Sequence, residues 1–300
     1  MKREKIEEFV VDFRPQTEWG WLVVIAFFLA GIGSGLFFMS QLVGTWAKIN
    51  SPAIGALGVA IVAIGTSIVF ITDLGRWGRF WRVLANPATS WISRGVLLII
   101  LFTLFAALTL LAQSGAGMPW SDTSLGQVFR TLAFLAAFGV MAYSGFVLSF
   151  SPAIPFWNGT LLPLFFILYA LMGGLAAIFA SLPFLGQGVN LPLLEVIEFW
   201  LIISAIAFFS IYLLNMGYST AAARRAVRLL LKGELALTFL GGVLVLGLIV
   251  PLAITLFVYL ADLSLVPAST WLAIAGAFEL FGGVLFRHTF IRAGIYEPLS

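Results

Sequence analysis

The sequence predicts an all-α, polytopic membrane protein with eight transmembrane helices in two four-helix bundles. The 300 residues are 61% hydrophobic and 10% charged, and the mean hydropathy of +1.08 is far above that of ordinary soluble domains. Apolar runs of the roughly 20 residues that a spanning helix needs recur along the chain, separated by proline, glycine or polar residues. The strict alternation of polar and apolar residues typical of a membrane β-barrel is absent.

Eight apolar runs define the predicted spans in chain order. They cover residues 20–44, 53–73, 91–113, 127–150, 160–183, 191–216, 235–261 and 270–292. The preceding polar arm mixes basic and acidic residues, so it does not have the pattern of a cleavable signal peptide. We expect one membrane domain over residues 1–300, in which residues 1–150 form the first bundle and residues 151–300 the second.

The distribution of basic residues predicts the topology. An even number of spans places both termini on one side of the membrane, and only Lys48 and Arg130 then lie on the other side. The remaining fourteen basic residues are Lys2, Arg3, Lys5, Arg14, Arg76, Arg79, Arg82, Arg94, Arg224, Arg225, Arg228, Lys232, Arg287 and Arg292. The positive-inside rule therefore predicts cytoplasmic termini and a multi-pass protein of the inner or plasma membrane. Selection of a basic loop for docking a partner subunit is the alternative explanation.

The composition excludes several kinds of redox site. The chain has no cysteine, which excludes disulfides, zinc–thiolate sites and cysteine-ligated iron–sulfur clusters within it. His288 is the only histidine, so a haem held by two histidines is also excluded, although His/Met ligation stays formally open. We therefore expect no haem or metal in this chain. The small net charge of +3 gives no indication of nucleic-acid binding.

A segment rich in arginine and aromatic residues follows the second predicted span. Asp73 ends that span, and residues 74–82 then alternate basic and aromatic side chains. Both kinds of side chain are stable at the depth of the lipid headgroups, which favours an interfacial anchor. The alternatives are a docking surface for a partner or acidic lipid, or the lining of a quinone entrance. Asp73 can pair with Arg76, Arg79 or Arg94.

Polar and aromatic residues at one membrane surface are candidates for a quinone site. Glu18, Trp19 and Trp21 begin the first span, and Tyr143 and Ser144 lie near the end of the fourth span on the same side. A quinone needs hydrogen-bond donors at its carbonyl oxygens, an apolar slot for its ring and a route for protons. The competing interpretation is that Tyr143 belongs to an ordinary aromatic belt.

Three acidic residues lie within later predicted spans. Glu195 and Glu198 are three residues apart and so share a helical face, and Glu279 lies within the last span. Carboxyl groups at membrane depth either carry protons or pair with arginine. Both interpretations stay open.

Glycines in three spans predict close helix packing. They are Gly31, Gly33 and Gly35 in the first span, Gly173 and Gly174 in the fifth, and Gly241 and Gly242 in the seventh. The first group is not a dinucleotide-binding motif, because it lies inside an apolar helix and follows no strand.

Three ordered blocks of sequence resemble one known family. The first extends from Asp73-Leu74-Gly75-Arg76 to Trp91, the second from Tyr143-Ser144-Gly145-Phe146 to Leu162-Pro163, and the third from Gly282-Gly283 to Ile295-Tyr296. In this order they resemble the NrfD-like membrane subunits, which include the polysulfide reductase membrane subunit.

The resemblance implies a haem-free, eight-helix subunit that binds menaquinone or another quinone. Its implied partners are an iron–sulfur, ferredoxin-like electron-transfer subunit and, through that subunit, a molybdopterin catalytic subunit. Tyr143 matches the family's quinone-contacting tyrosine, and residues 18–21 match a region that supplies further polar contacts. Several relatives are thought to have their termini and quinone site outside, which is the opposite of the orientation that the charge distribution predicts here.

We therefore expect a non-autonomous, quinone-reactive subunit of an oxidoreductase complex. Tyr143 would hydrogen-bond a quinone oxygen beside Ser144, Trp19 or Trp21 would contact the ring, and Glu18 or Asp73 would exchange protons with water. A secondary transporter or proton-conducting bundle without quinone chemistry is the alternative from another functional class. A passive anchor with a degenerate quinone site is a third interpretation.

Overall fold

A computed structural model describes residues 13–44, 46–49, 52–74, 82–184 and 189–297. Within these residues, eight helices are long and apolar enough to cross a membrane. The predicted all-α membrane fold with eight spans is therefore confirmed. Five of the basic residues used for the topology, which are Lys2, Arg3, Lys5, Arg76 and Arg79, lie outside the described residues, as does the segment 75–81.

The elements follow one another as a chain of long helices with one short strand near each end. They are β1 (Arg14–Pro15), α1 (Trp21–Val43), α2 (Pro52–Ala60, continuing through Ile61–Thr66 into Ser67–Leu74), α3 (Trp91–Gln113), α4 (Ser124–Ser149), α5 (Leu162–Ser181), α6 (Leu191–Gly217), α7 (Ala221–Lys232), α8 (Leu237–Ile249, continuing into Val250–Leu260), α9 (Leu265–Arg292) and β2 (Ile295–Tyr296). The predicted spans agree with the spanning helices to within a few residues at nearly every boundary.

Local sequence explains where several helices begin. Ser90, Thr123 and Asn190 precede α3, α4 and α6, and each side chain accepts a hydrogen bond from a backbone N–H in the first turn. Such caps satisfy donors that have no partner within the helix. The segments Ile61–Thr66 of α2 and Leu237–Ile249 of α8 are π-helical, which the apolar pattern did not predict.

Small residues bring α1 and α5 together at the centre of the molecule. A Cβ atom added to Gly174 would lie 2.6 Å from the backbone nitrogen of Leu36, and one added to Gly35 would overlap the backbone of Ala170. The close packing expected of Gly35 and Gly174 is therefore confirmed. We call this α1–α5 contact the central seam. It joins the two predicted halves, whose division into separate four-helix bundles remains a prediction.

The two ends of the described chain lie side by side. β1 pairs antiparallel with β2, with Arg14 opposite Tyr296 and Pro15 opposite Ile295. We call the membrane surface near this pair the terminus side and the opposite surface the far side.

The short helix α7 lies on the terminus side and was not predicted. Most of its apolar residues are buried, whereas Arg224, Arg225, Arg228 and Lys232 are exposed. The helix is amphipathic and therefore has no continuous apolar run of the kind that identified the spans.

Candidate functional site

A cavity of about 300 Å³ opens near the terminus side, between the ends of four helices. It lies at the start of α1, the end of α2, the start of α3 and the end of α4. Its lining residues are Glu18, Trp19, Val23, Phe27, Phe70, Asp73, Val83, Ile92, Val96, Tyr143 and Val147. Four of the six predicted site residues are therefore brought together around one mainly apolar space.

Tyr143 is the most buried polar residue of this cavity. Its side chain is 2% exposed. Its hydroxyl group makes no hydrogen bond of acceptable geometry among the described residues, although the Ser144 side chain is a polar neighbour. The ring of Phe27 meets the tyrosine ring edge-on with 5.9 Å between centroids, and Gly95 of α3 leaves space for the tyrosine ring where a methyl group would clash. A buried hydroxyl without a partner is unfavourable by about 1–3 kcal/mol, so a ligand oxygen at this position would stabilise it.

Trp19 is fixed from two directions. Its backbone N–H donates to Oε1 of Gln16 at 2.9 Å, and Nε2 of Gln16 donates to the carbonyl groups of Trp19 and Ile291 at 3.0 and 3.2 Å. Its indole ring packs against that of Trp157, with 5.4 Å between centroids. Trp157 in turn donates from Nε1 to the carbonyl oxygen of Phe290 at 2.8 Å. Through Gln16 and Trp157, the α9 backbone thus positions Trp19, which precedes α1 and forms one wall of the cavity.

Sequence reasoning gave no role to Gln16 or to Trp157. Trp157 stands within the second family block, but its contact with Trp19 depends on two segments that are far apart in the sequence. The polar character of Gln16, followed by a tryptophan three residues later, was the only local signal. Neither pattern identifies a supporting residue without the fold.

The two acidic residues of the cavity are exposed. Glu18 precedes α1, and Asp73 lies in the last turn of α2. Of the arginines named as partners for Asp73, Arg94 donates to the backbone carbonyl groups of Pro87 and Ala88. Carboxyl groups at the rim of the cavity can exchange protons with water while the interior stays apolar.

Trp21 and Ser144 do not line the cavity. Trp21 is 52% exposed and stacks on the ring of His288, with 4.1 Å between centroids and 9° between planes. Ser144 is buried, and its side chain is a polar neighbour of the Tyr143 hydroxyl group. Adjacent residues on a helix differ by about 100° around its axis. A residue close in sequence to Trp19 or Tyr143 can therefore point away from the cavity.

Metal-ligand clusters are absent from the part of the chain that the structure describes. No group of three or more histidine, cysteine, aspartate or glutamate side chains there could hold a metal ion. The donors around the cavity instead suit a neutral organic ligand that has an apolar ring and polar oxygens.

Comparisons with known proteins agree on one family over nearly the whole chain. The family model described as "Polysulphide reductase, NrfD" matches residues 10–298. A subunit of the polysulfide reductase of Wolinella succinogenes is 29% identical over 264 residues, which cover 79% of this chain and 82% of that protein. The Protein NrfD homolog of Haemophilus influenzae is 22% identical, with coverage of 96% of this chain and 98% of the relative. Protein NrfD of Escherichia coli K12 is 27% identical over 53% of this chain and 57% of its own length.

Proposed function

The chain belongs to the NrfD polysulphide reductase family, and we propose that it is the quinone-reactive membrane subunit of a respiratory redox complex. Membership in this family confirms the resemblance carried by the three sequence blocks. The relative from Wolinella succinogenes is named as one of the polypeptides of polysulfide reductase, which supports a role within a complex of several subunits. In our proposal, the partner is an iron–sulfur, ferredoxin-like subunit connected to a molybdopterin catalytic subunit.

The observation that carries this proposal is the buried hydroxyl group of Tyr143 at an apolar cavity. The cavity volume of about 300 Å³ is within the range of small-molecule pockets. Trp19 and Phe27 offer ring faces and edges to an aromatic ligand, and Tyr143 offers an O–H donor. These features together suit the head group of menaquinone or another membrane quinone.

We assign one role to each polar group. The Tyr143 hydroxyl donates a hydrogen bond to a quinone carbonyl oxygen, which favours the negative charge that develops there as electrons arrive. Glu18 and Asp73 exchange protons between that oxygen and water at the terminus side. Two electrons and two protons convert the quinone to quinol, and the partner supplies or accepts the electrons.

We place the iron–sulfur partner on the terminus side, beside the cavity. Exposed cations of α7, namely Arg224, Arg225, Arg228 and Lys232, give this surface a positive charge that suits acidic protein surfaces or acidic lipid headgroups. By the charge distribution, we assign this side to the cytoplasm. The rate of cleavage of the N-terminal arm by added protease in sealed, oriented vesicles tests that assignment.

The replacement Tyr143→Phe tests the proposed function. It removes one hydroxyl group and keeps the ring that packs on Phe27. We therefore expect about a 5- to 150-fold slower quinol-dependent reduction of the partner's iron–sulfur clusters, from about 1–3 kcal/mol of lost hydrogen bonding. The measurement is rapid mixing of quinol with the purified complex. Tyr218→Phe is the matched control, because Tyr218 is 87% exposed. An unchanged rate for Tyr143→Phe in an intact complex would move the quinone elsewhere or leave a passive anchor.

A further inference from the structure

Two buried carboxyl groups lie on the other side of the central seam. Glu198 of α6 and Glu279 of α9 are 1% and 2% exposed, and all four carboxyl oxygens lack a hydrogen-bond partner among the described residues. The two groups are electrostatic neighbours of one another. Two adjacent carboxylates without partners in an apolar interior are strongly unfavourable as a doubly charged pair.

The pair is located deep in the membrane. Glu279 lies near the middle of α9, about 20 Å from either end at 1.5 Å per residue. Glu198 lies about 10 Å from the far-side end of α6 by the same rise. Neither residue lines the quinone cavity on the terminus side.

Further buried polar groups lie on the helices near the acid pair. The Tyr169 hydroxyl of α5 is buried without a hydrogen-bond partner in the described part of the chain, and it interacts electrostatically with Glu279 and Arg287. The Thr255 hydroxyl of α8 is likewise buried and unpartnered. Arg287 is 1% exposed and donates to the carbonyl oxygen of Gly283 at 2.9 Å. These groups define a polar interior that the quinone chemistry does not use.

Two clefts on the far side lie close to the pair. Glu195 is one helical turn nearer that surface than Glu198, and it lines two clefts. One cleft of about 190 Å³ also includes Thr255 and Tyr259, and the other, of about 600 Å³, includes Asp262. Glu195 therefore stands between surface clefts and the buried acids.

Toward the terminus side, the next charged side chain along α9 is Arg287. Its guanidinium carbon lies 5.5 Å from the ring centroid of Phe28 and 5.6 Å from that of Phe166. A fixed cation between aromatic rings repels protons, as arginine does in selective pores. The polar interior thus has clefts near it on the far side and a buried cation on the terminus side.

We propose that Glu198 and Glu279 form a proton-binding site within the membrane-spanning helices, which exchanges protons with the far side through Glu195. A proton from water on that side binds one carboxylate oxygen of the pair, and the resulting O–H donates to the other carboxylate. The proton leaves by the same route. This inference does not depend on the proposed quinone chemistry and adds a second site to the protein.

Infrared spectroscopy of the purified, resting complex tests the site directly. A protonated carboxyl group gives a C=O stretching band separate from the amide bands, and this band shifts in D₂O. We expect Glu198→Gln and Glu279→Gln each to shift this band, because the proton then stays on the one remaining carboxyl group and has no carboxylate to accept its hydrogen bond. Glu234→Gln, which changes an exposed acid, should leave the band unchanged. We expect Glu195→Gln to keep the band but to slow its hydrogen–deuterium exchange by about tenfold or more.

Three outcomes would overturn the proposal. The band could be absent from the native complex, it could respond to sodium ions in place of protons, or its exchange could be unaffected by Glu195→Gln. Elution as an intact complex with native helical circular dichroism is required of each variant, so a misfolded variant is not scored. Tyr143→Phe separates the two proposals, because it should slow quinol oxidation and leave the carboxyl band in place.

Discussion

Two buried tyrosines on opposite sides of the central seam show how their surroundings determine what the same hydroxyl group can do. Tyr143 and Tyr169 are both nearly inaccessible, and both hydroxyl groups lack hydrogen-bond partners among the described residues. Tyr143 lines a cavity of about 300 Å³. Tyr169 is stacked on Phe286, with 4.1 Å between centroids, and lies beside a carboxyl group and an arginine. The first setting has room for an organic ring, whereas the second has room for little more than a proton.

The central seam keeps these two settings apart. Its glycines allow the backbones of α1 and α5 to touch at Gly35 and Gly174. We therefore expect that each region can be changed without altering the other while the seam is intact. The predictions below test that independence.

The largest effect is expected from Gly174→Leu, which breaks the seam itself. A side chain at this position would meet the backbone of α1, and the clash cannot be relieved by rotation of a flexible side chain. We expect no recoverable folded protein, measured as the monodisperse fraction in detergent by size-exclusion chromatography. Gly217→Leu is the control, because an added Cβ there has no neighbour within 4 Å. Normal recovery of Gly174→Leu would contradict the close packing of the seam.

A smaller and local effect is expected from Trp19→Ala. The loss of this cavity wall removes roughly 1.5–3 kcal/mol of aromatic burial from bound quinol, which corresponds to about a 10- to 100-fold higher KM. The maximal rate should change less than KM, because the wall holds the ring in the ground state as well as during the reaction. Trp21→Ala is the matched control, since Trp21 stacks on His288 outside the cavity. Equal effects of the two replacements would mean that the cavity is not the quinone site.

The smallest effect on quinol oxidation is expected from Tyr169→Phe. This replacement removes a hydroxyl group from the acid-pair side of the seam and preserves the stacking on Phe286. We expect a native quinol-dependent rate together with a shifted carboxyl band, because Glu279 loses an electrostatic neighbour. The two readouts are stopped-flow kinetics and infrared spectroscopy of the same preparation. A rate loss as large as that of Tyr143→Phe would show that the two regions act as one.

The fold could be predicted from the sequence because the bilayer imposes simple rules. A run of about 20 apolar residues must form a helix in lipid, since every backbone polar group needs a partner. Helix α7 was not predicted, because its apolar residues recur on one face and do not form a continuous run. The π-helical segments of α2 and α8 also have no signature in hydropathy.

The candidate site could be predicted only as far as the side of the membrane. The even number of spans placed Tyr143, Trp19, Glu18 and Asp73 at one surface, and the structure brings these four around one cavity. The direction in which each side chain points depends on packing and cannot be read from the sequence. Trp21 was therefore grouped with Trp19 and Tyr143, although it does not line the cavity that they share. Roles for all of these residues in quinone binding remain predictions.

The acid pair illustrates a stronger limit of sequence reasoning. Glu198 and Glu279 lie on helices α6 and α9, which α7 and α8 separate in the sequence. Glu195, by contrast, was correctly expected to share a helical face with Glu198, because a spacing of three residues is a local property of the helix. Contacts between distant helices depend on the whole packing arrangement and have no such local rule.

The hydrogen bond from Gln16 to the carbonyl oxygen of Ile291 has a consequence for folding during synthesis. These residues are separated by 275 positions, so Gln16 can be fixed only after nearly the entire polypeptide has left the ribosome and entered the membrane. Gln16 and Trp157 together orient Trp19. Trp157 also donates a hydrogen bond to the carbonyl oxygen of Phe290 in α9. Helices α1 to α4 can therefore insert early, but the wall of their cavity is completed only when the last helix arrives. A nascent polypeptide that stalls before α9 would contain every residue that lines the cavity and still have an incomplete binding site.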